Sequence, residues 1–580
     1  TVDRTRAAKL HSFQEHLAGL KFLDPACGSG NFLTETYLSL RRLENEVIKE
    51  LIILDKGRNG KQVSGQVTFG QEGLNPIRVS ISQFYGIEIN DFAVTVAKTA
   101  LWIAESQMMK ETEEIVHATL DFLPLKTNAY IVEGNALRLP WEDIISKNKL
   151  NYIMGNPPFV GYSLQSKEQK EDILSIYVDE KGKAYKTAGK IDYVAGWYFK
   201  AAQLMQGTAI RTAFVSTNSI TQGEQVAGVW KPLYDRFAVH IDFAHRTFRW
   251  DSEASLKAHV HCVIVGFSVA INTRLRRLFT SERMHEVDNI NAYLMDAPDI
   301  FIDSRKKPMF TVPLMTTGNR PADGGHLIIE DADYNDFIEK EPSAKPYIKK
   351  FMGASEFINN KKRWCLWLVG VSPAELRKMP LVMHRVEACK IDRESARDAG
   401  RRKLAERPTQ FREINNPDNF IAIPEVSSGA RRYVPMDFLH SDTICSNKLQ
   451  ILPHANMYHL GVLTSNVHMA WMRAVCGRLK SDYDYSAKIV YNNFPWPTPT
   501  DAQKAKIEQT AQAILDARAL YPDCSLADLY DEVTMPPELR KAHQANDKAV
   551  MQAYGFWGKL NSESACVAEL MKLYQQLTQS

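Results

Sequence analysis

Four short segments within the first 160 residues carry side chains whose types and spacing suit one chemistry. The first is Phe22-Leu23-Asp24-Pro25-Ala26-Cys27-Gly28-Ser29-Gly30-Asn31. An apolar run ends in an acid, a loop of small residues turns, and a helix opens at Asn31. Glycines at such a turn admit close approach of a ligand to the backbone. The spacing is not that of a dinucleotide fingerprint, and the Lys-Ser/Thr of a nucleotide P-loop is absent. A zwitterionic nucleoside cofactor without a pyrophosphate fits better. The second segment, Tyr85-Gly86-Ile87-Glu88-Ile89-Asn90, is a strand ending in a carboxylate able to accept both hydroxyls of a ribose. In the third, Glu133-Gly134-Asn135-Ala136-Leu137, Asn135 suits the edge of an adenine ring. The fourth runs from Asn151 to Phe159 and ends Gly155-Asn156-Pro157-Pro158-Phe159. Its two prolines stiffen the strand exit and leave carbonyls free, so an amide, a carbonyl and an aromatic ring can grip a planar amine. Taken singly, these are a tight turn, a surface acid, a turn asparagine and a stiff strand exit. Their shared position at strand ends, in this order, is what turns them into one site.

The elements that must hold them alternate. Apolar runs at Lys21–Leu23, Phe84–Ile89, Ala129–Val132, Tyr152–Met154, Ala213–Val215 and His261–Phe267 predict buried strands. Phe92–Gln107 and Tyr193–Met205 predict helices between them. The pattern is that of a doubly wound α/β domain over residues 1–300, with a polar surface insertion at about 44–82. Residues 301–497 switch to short segments rich in Pro, Trp and Tyr, as in an irregular α+β domain. Residues 498–580 are rich in Ala, Leu and Gln and predict a small helical tail. Residues 385–412 hold nine Arg/Lys against five Asp/Glu. There Arg393, Arg397 and Arg401 recur every four residues, one stripe on a helix. That stripe suits a phosphate backbone or, given Glu394 and Asp398, a self-paired solvated helix.

Composition excludes several classes. The 580 residues are 44% hydrophobic and 24% charged, ordinary for a globular protein and long enough for several domains. With 71 Lys+Arg against 68 Asp+Glu, the net charge of +3 is not that of a polycation, so any nucleic-acid surface must be local. The longest apolar stretch, Val260 to Ile271, is too short to span a membrane. Eight scattered cysteines without a CxxC pair signal neither zinc nor disulfides, and reduced thiols in a cytoplasm follow. The chain starts with Thr, as a piece of a longer protein would.

The order DPACGSG, GIEIN, GNAL, NPPF resembles the S-adenosylmethionine-dependent amino-methyltransferases that act on DNA. The resemblance implies the cofactor's methionine end along Asp24, Pro25, Ala26, Cys27, Gly28, Gly30 and Asn31. It puts the ribose at Glu88 and Ile89, and the adenine near Asn135 and Ala136. Asn156 and the carbonyl of Pro157 would accept the hydrogens of an adenine N6 amino group, Pro158 would fix the loop and Phe159 would stack on the base. The base must then be flipped out of the duplex. No metal is required. Cytosine N4 is chemically similar, and NPPF only favours adenine.

Further segments resemble the MmeI-like (type IIL) restriction-modification family. They are Thr217-Asn218-Ser219-Ile220-Thr221-Gln222-Gly223, Phe248-Arg249-Trp250 followed by Glu253-Ala254, Arg363-Trp364-Cys365-Leu366-Trp367-Leu368, Ser427-Ser428-Gly429-Ala430-Arg431-Arg432-Tyr433-Val434-Pro435 and Tyr491-Asn492-Asn493-Phe494-Pro495-Trp496-Pro497. The resemblance covers roughly residues 20–560 and implies a Rossmann-like methyltransferase domain, a target-recognition domain and double-stranded DNA as partner of a monomer. Ser428, Gly429, Arg431 and Arg432 fall where that family reads bases. Arginine suits guanine in the major groove, and a phosphate clamp is the equal alternative. Phe248 and Trp250 would cradle the flipped base, or simply pack. The family's cutting members carry an amino-terminal nuclease that these residues do not contain, and the element before the cofactor loop is expected to be missing or cut short. Rival readings are a catalytically silent DNA-binding module and a methyltransferase acting on cytosine N4, RNA or protein glutamine.

Overall fold

The structure, a computed structural model, describes residues 2–59, 76–117, 120, 128–250, 260–270, 274–281 and 283–579. It divides into two compact units, one of Thr1–Thr221 with Gln225–Phe301, the other of Gln222–Glu224 with Ile302–Ser580. No helix among the described residues is long and apolar enough to cross a membrane.

The first unit opens with α1 (Val2–Gly19), β1 (Phe22–Asp24) and α2 (Asn31–Asn59), followed by β2 (Phe84–Glu88), α3 (Asp91–Val116), β3 (Tyr130–Glu133) and β4 (Tyr152–Gly155). After these come α4 (Lys167–Ile176), α5 (Ala195–Leu204), β5 (Arg211–Thr217), α6 (Gly223–Phe237), β6 (His240–Trp250), β7 (Val260–Ser268), β8 (Arg276–Phe279) and β9 (Met284–Val287). The strands form one sheet in the order β3-β2-β1-β4-β5-β7-β6-β8-β9. β1 to β5 run parallel, and β7 runs against both β5 and β6. All three residues of β1 are buried because it is a central strand of a largely parallel sheet. The order reverses between β1 and β4, where such sheets open a crevice at their carboxyl edge. This is the doubly wound fold that the alternation predicts. The eleven-residue β6 escapes the sequence reading: its run His-Ile-Asp-Phe-Ala-His-Arg mixes charge with apolar residues and has no clean period.

One boundary differs from the expectation. The polar insertion does not begin at 44, because α2 continues to Asn59 with Val47, Ile48, Leu51 and Ile52 buried. Glu44 is fully buried, pairs with Arg41, and accepts from Gln14 Nε2 (2.8 Å) and the backbone N–H of Arg78 (2.7 Å). Residues 60–75 of that insertion lie outside the described residues. Before the loop after β1 stands the 18-residue helix α1, whose Leu17 joins the core of the first unit.

The second unit carries β10 (Thr316–Thr317), β11 (Ile328–Glu330), α7 (Asp331–Lys340), β12 (Ile348–Met352), α8 (Ala354–Asn359), β13 (Arg363–Leu366), α9 (Pro373–Leu376), α10 (Pro380–Glu394), α11 (Ala399–Lys403), β14 (Asn419–Pro424) and β15 (Val426–Ser427). It continues with β16 (Asp437–His440), β17 (Thr443–Cys445), β18 (Leu449–Pro453), α12 (Met457–Leu463), α13 (Asn466–Val475), β19 (Gly477–Leu479) and β20 (Asp482–Asp484), and closes with α14 (Asp501–Ala519), α15 (Leu526–Leu529), α16 (Pro537–Tyr554) and α17 (Glu563–Gln579). The strands make three small sheets, β10-β18-β14-β16, β11-β13-β12-β17 and β15-β20-β19. Short strands and helices around separate apolar clusters make this an α+β body, with the last helices packed on one another.

The basic stripe does not form. Asp398 caps α11, its Oδ1 accepting the Arg401 N–H at 2.7 Å, so the helix carrying Arg393 ends before Arg397. Arg393 is fully buried and donates to the carbonyls of Pro321, Ala322, Leu404, Arg407 and Gln410 at 2.8–3.0 Å. Arg401 pairs with Asp392. Two of the three cations are thus committed within the fold.

Candidate cofactor and substrate site

The loop after β1 is shaped by hydrogen bonds that cross to β2. The N–H of Cys27 donates to Ile87 O (3.1 Å) and that of Gly28 to Glu88 Oε2 (2.9 Å). Gly28 and Gly30 have φ of +53° and +82°, and a Cβ on Gly30 would sit 2.9 Å from that of Ala97 in α3. Only glycine allows the loop to turn that tightly against the helix. From α5 the Trp197 indole N–H holds the Pro25 carbonyl at 3.0 Å.

Asp24 ends β1 and is 1% exposed. Its Oδ1 accepts the Ala26 N–H at 3.0 Å, while Oδ2 is buried and has no partner among the described residues. Burial, with the Glu88 carboxylate adding to it, pushes its pKa up to about 7. The buried Cys27 thiol is likewise pushed up and is no nucleophile at neutral pH. The half-buried Glu88 bonds both the Gly28 N–H and, through Oε1, the Asn90 N–H (3.1 Å).

These loops surround a cavity of about 650 Å³, within the roughly 300–1,000 Å³ of small-molecule sites. Of the residues singled out in the sequence, Pro25, Ala26, Gly28, Glu88, Ile89, Asn135, Ala136, Asn156 and Pro158 line it. Asp24, Cys27, Gly30, Asn31, Pro157 and Phe159 do not. Asp24 and Gly30 shape the wall from behind, Asn31 is exposed at the start of α2, Pro157 is buried and Phe159 half-buried. Asn156 is exposed, and among the described residues nothing hydrogen-bonds its side chain. The Glu88 carboxylate in the wall, with the buried Asp24 carboxyl behind it, makes the cavity a fit for a cationic, zwitterionic ligand such as S-adenosylmethionine. Exposed Ile89 and Pro158 add apolar surface for a ring.

One group of wall residues carries no local sequence signal. Asp172 of α4, 4% exposed, accepts from Asn135 Nδ2 (3.0 Å), Arg138 Nε (2.7 Å) and Tyr193 OH (2.9 Å). Asn135 Oδ1 in turn takes the Leu137 N–H (2.9 Å), which fixes the orientation of the amide. Lys200 donates to the carbonyls of Ala136 (2.7 Å), Leu137 (3.3 Å) and Leu139, and burial lowers its pKa to about 8. Tyr193 sits in the turn just before α5 and Trp197 in its first turn, and in the sequence Asp172 is an acid among acids. Asp192 ties the NPPF loop down by accepting the Tyr162 N–H at 3.0 Å.

Phe248, half-buried, and Trp250 lie at the end of β6, which points to the same sheet edge as β4, and Phe248 does not line the cavity. The Trp250 side chain and residues 251–259, including Glu253 and Ala254, lie outside the described residues. In the second unit Gly429, Arg431 and Arg432 line a separate cavity of about 580 Å³, with Ser428 beside it. Gly429 donates its N–H to Asp482 Oδ1 (3.2 Å), and a Cβ there would meet Ser481 O at 2.4 Å. Close approach to β20 therefore demands glycine at 429, whatever the residue faces.

A sheet reversing beside an acid-tipped, glycine-turned cleft is that of the doubly wound α/β proteins, which bind ligands at this edge. Comparison with known proteins narrows this. The chain belongs to the MmeI family: residues 2–280 match the family model of the MmeI DNA-methyltransferase domain, residues 296–498 that of the MmeI target recognition domain, and residues 499–580 that of the MmeI C-terminal domain. It is 41% identical over 576 residues to DNA methyltransferase A of Bacillus subtilis (strain 168), covering 98% of this chain. The chain spans 63% of the length of that relative. It also superposes on the solved structure of the type IIL restriction-modification enzyme MmeI in complex with DNA, with TM-score 0.90, 42% identity, and 99% of this chain and 75% of that one covered.

Proposed function

We propose that the chain is a DNA methyltransferase of a restriction-modification system that uses S-adenosyl-L-methionine to methylate N6 of an adenine flipped out of double-stranded DNA. The observation that carries this reading is the single cavity lined at once by the Gly28 loop, Glu88, Asn135 and the unpartnered amide of Asn156. Membership of the MmeI family supports it. We divide the work among a catalytic domain at 1–300, a recognition domain at 301–497 and a helical carboxy-terminal domain at 498–580, acting as a monomer.

When bound, the cofactor supplies a methyl group made electrophilic by its sulfonium. The residues of the chain do the rest. The Gly28 loop and Asp24 hold the amino-acid end, Glu88 accepts the ribose hydroxyls, and Ile89 with the Asn135–Asp172 pair holds the adenine. Asn156 Oδ1 and the Pro157 carbonyl accept the two amino hydrogens of the target base and free its lone pair. Phe159 stacks on that base, and Phe248 and Trp250 border it. Positioning and fixed dipoles supply the rate. Ser428, Gly429, Arg431 and Arg432 read the DNA.

Incubation of the chain with tritiated S-adenosylmethionine and duplex DNA tests this, with RNA as control. Label in DNA as N6-methyladenine, absent with Asn156→Ala, is expected. Label in cytosine, in RNA or in no nucleic acid would overturn the proposal.

A further inference from the structure

The segment carrying the proposed base-reading residues is held along its downstream side by the carboxy-terminal helices. Arg473 of α13 donates Nη1 to the carbonyl of Arg432 (2.9 Å). The same guanidinium is fixed by two parallel bonds, Nε and Nη2, to the Glu563 carboxylate at the start of α17 (2.7 and 2.8 Å). One residue on, Tyr433 is 2% exposed and donates its hydroxyl to Asp547 Oδ2 of α16 at 2.6 Å, while Asp547 Oδ1 accepts the Asn466 N–H at 2.7 Å. The Tyr433 ring stacks on His543, their centroids 4.2 Å apart. Three residues further, Arg518 of α14 donates to the carbonyl of Met436 (2.7 Å) and to the Tyr530 hydroxyl, which is bonded to His543 Nε2 (2.9 Å). Segment 432–436 is thus pinned at three points, at Tyr433 and Met436 directly by side chains from residues 499–580 and at Arg432 through Arg473, which Glu563 holds.

Resting on the reading of Arg431 and Arg432 as DNA contacts, we propose that Glu563, Asp547 and Arg518 are positioning residues for recognition: the carboxy-terminal helices set where the two arginines stand without touching DNA themselves. The forked Glu563–Arg473 pair carries this most directly, because a guanidinium held at two points presents its remaining N–H to the Arg432 carbonyl along one direction. Release of that carbonyl frees the adjoining guanidinium, and a side chain that samples several positions both binds more weakly and discriminates less.

The test uses the full chain, a randomised duplex library and sequencing of the methylated sites. Glu563→Ala is expected to raise the KM for DNA about tenfold and to multiply methylation at sites one base pair from the wild-type consensus about tenfold. The kcat at saturating DNA and the Kd for S-adenosylmethionine stay at wild-type values, which a general structural lesion would not allow. Hydrogen exchange quickens across 428–436 and not in the first unit. Glu563→Gln, which keeps one acceptor oxygen, falls between the two, and serves as the variant to read should Glu563→Ala lower the Tm. Wild-type values of KM, consensus and exchange in both variants would overturn the inference. A wild-type chain that methylates no DNA would sink the proposed function instead, and exchange across 428–436 would still report whether Glu563 holds the segment.

Discussion

Asp24 and Gly155 interlock across the two central strands: a Cβ on Gly155 would lie 2.3 Å from Asp24 Oδ1. The residue before the proposed catalytic Asn156 is therefore glycine because the cofactor loop's carboxylate occupies the space of its side chain. Gly155→Ala must displace one or the other. A loss of about 1–3 kcal/mol of stability, the usual cost of overpacking, is expected in thermal unfolding. Affinity for S-adenosylmethionine in calorimetric titration should fall together with methylation, since both loops hang on the same contact.

The raised pKa of Asp24 gives a second expectation, whose sign follows from proton binding. Folded, this carboxyl titrates near 7, against 3.8 when free, so between those values the folded chain holds a proton that the unfolded chain has lost. Stability contributed by that proton falls as the pH rises from about 4 to 7 and is gone above it. Asp24→Asn, which never ionises, should exceed the wild-type chain in unfolding free energy at pH 8 by as much as about 4 kcal/mol, read from denaturant unfolding, the gap closing toward pH 4. Cofactor affinity runs the other way. In the wild type it weakens below pH 7 as the carboxylate protonates, and in Asp24→Asn it is weak at every pH.

Asp172 gathers Asn135, Arg138 and Tyr193 at one wall of the cavity. Asp172→Ala leaves three donors without their acceptor and frees the Asn135 amide. We expect S-adenosylmethionine binding to weaken at least about tenfold, or ~1.4 kcal/mol. Tyr193→Phe, which leaves Asp172 with its bonds from Asn135 and Arg138, should cost less. Equal Kd values for Asp172→Ala and wild type would remove Asp172 from the site.

Arg393 separates a structural cation from a DNA-binding one. Lysine cannot reach five carbonyls, and each carbonyl left bare in the interior costs on the order of 1 kcal/mol or more. Arg393→Lys should therefore lose at least about 3 kcal/mol in denaturant unfolding. A phosphate contact would instead lower the salt dependence of DNA binding by about one. We expect that slope to be unchanged when measured below the unfolding transition.

What was legible in the sequence is what neighbouring residues decide among themselves. The strand–turn–helix units at Asp24 and Glu88 and the strand-exit turns at Asn135 and Asn156 are local, so their residue types announce the turn, and the alternation of apolar and helical runs announces the doubly wound sheet. Local pattern also suggested a basic helical stripe at 393–401, and there it misled. A cap at Asp398 breaks the helix, and Arg393 finds its partners 11–17 residues ahead and 71–72 residues back in the chain. Tertiary structure alone decided that Asp172 and Tyr193 wall the cavity, that Asp24 Oδ2 is left without a partner among the described residues, and that helices beginning beyond residue 500 hold the segment at 432–436. Those outcomes depend on which buried polar groups meet across distant elements. A hydrogen bond between residues more than a hundred positions apart, such as Tyr433 to Asp547, leaves no period or spacing to read.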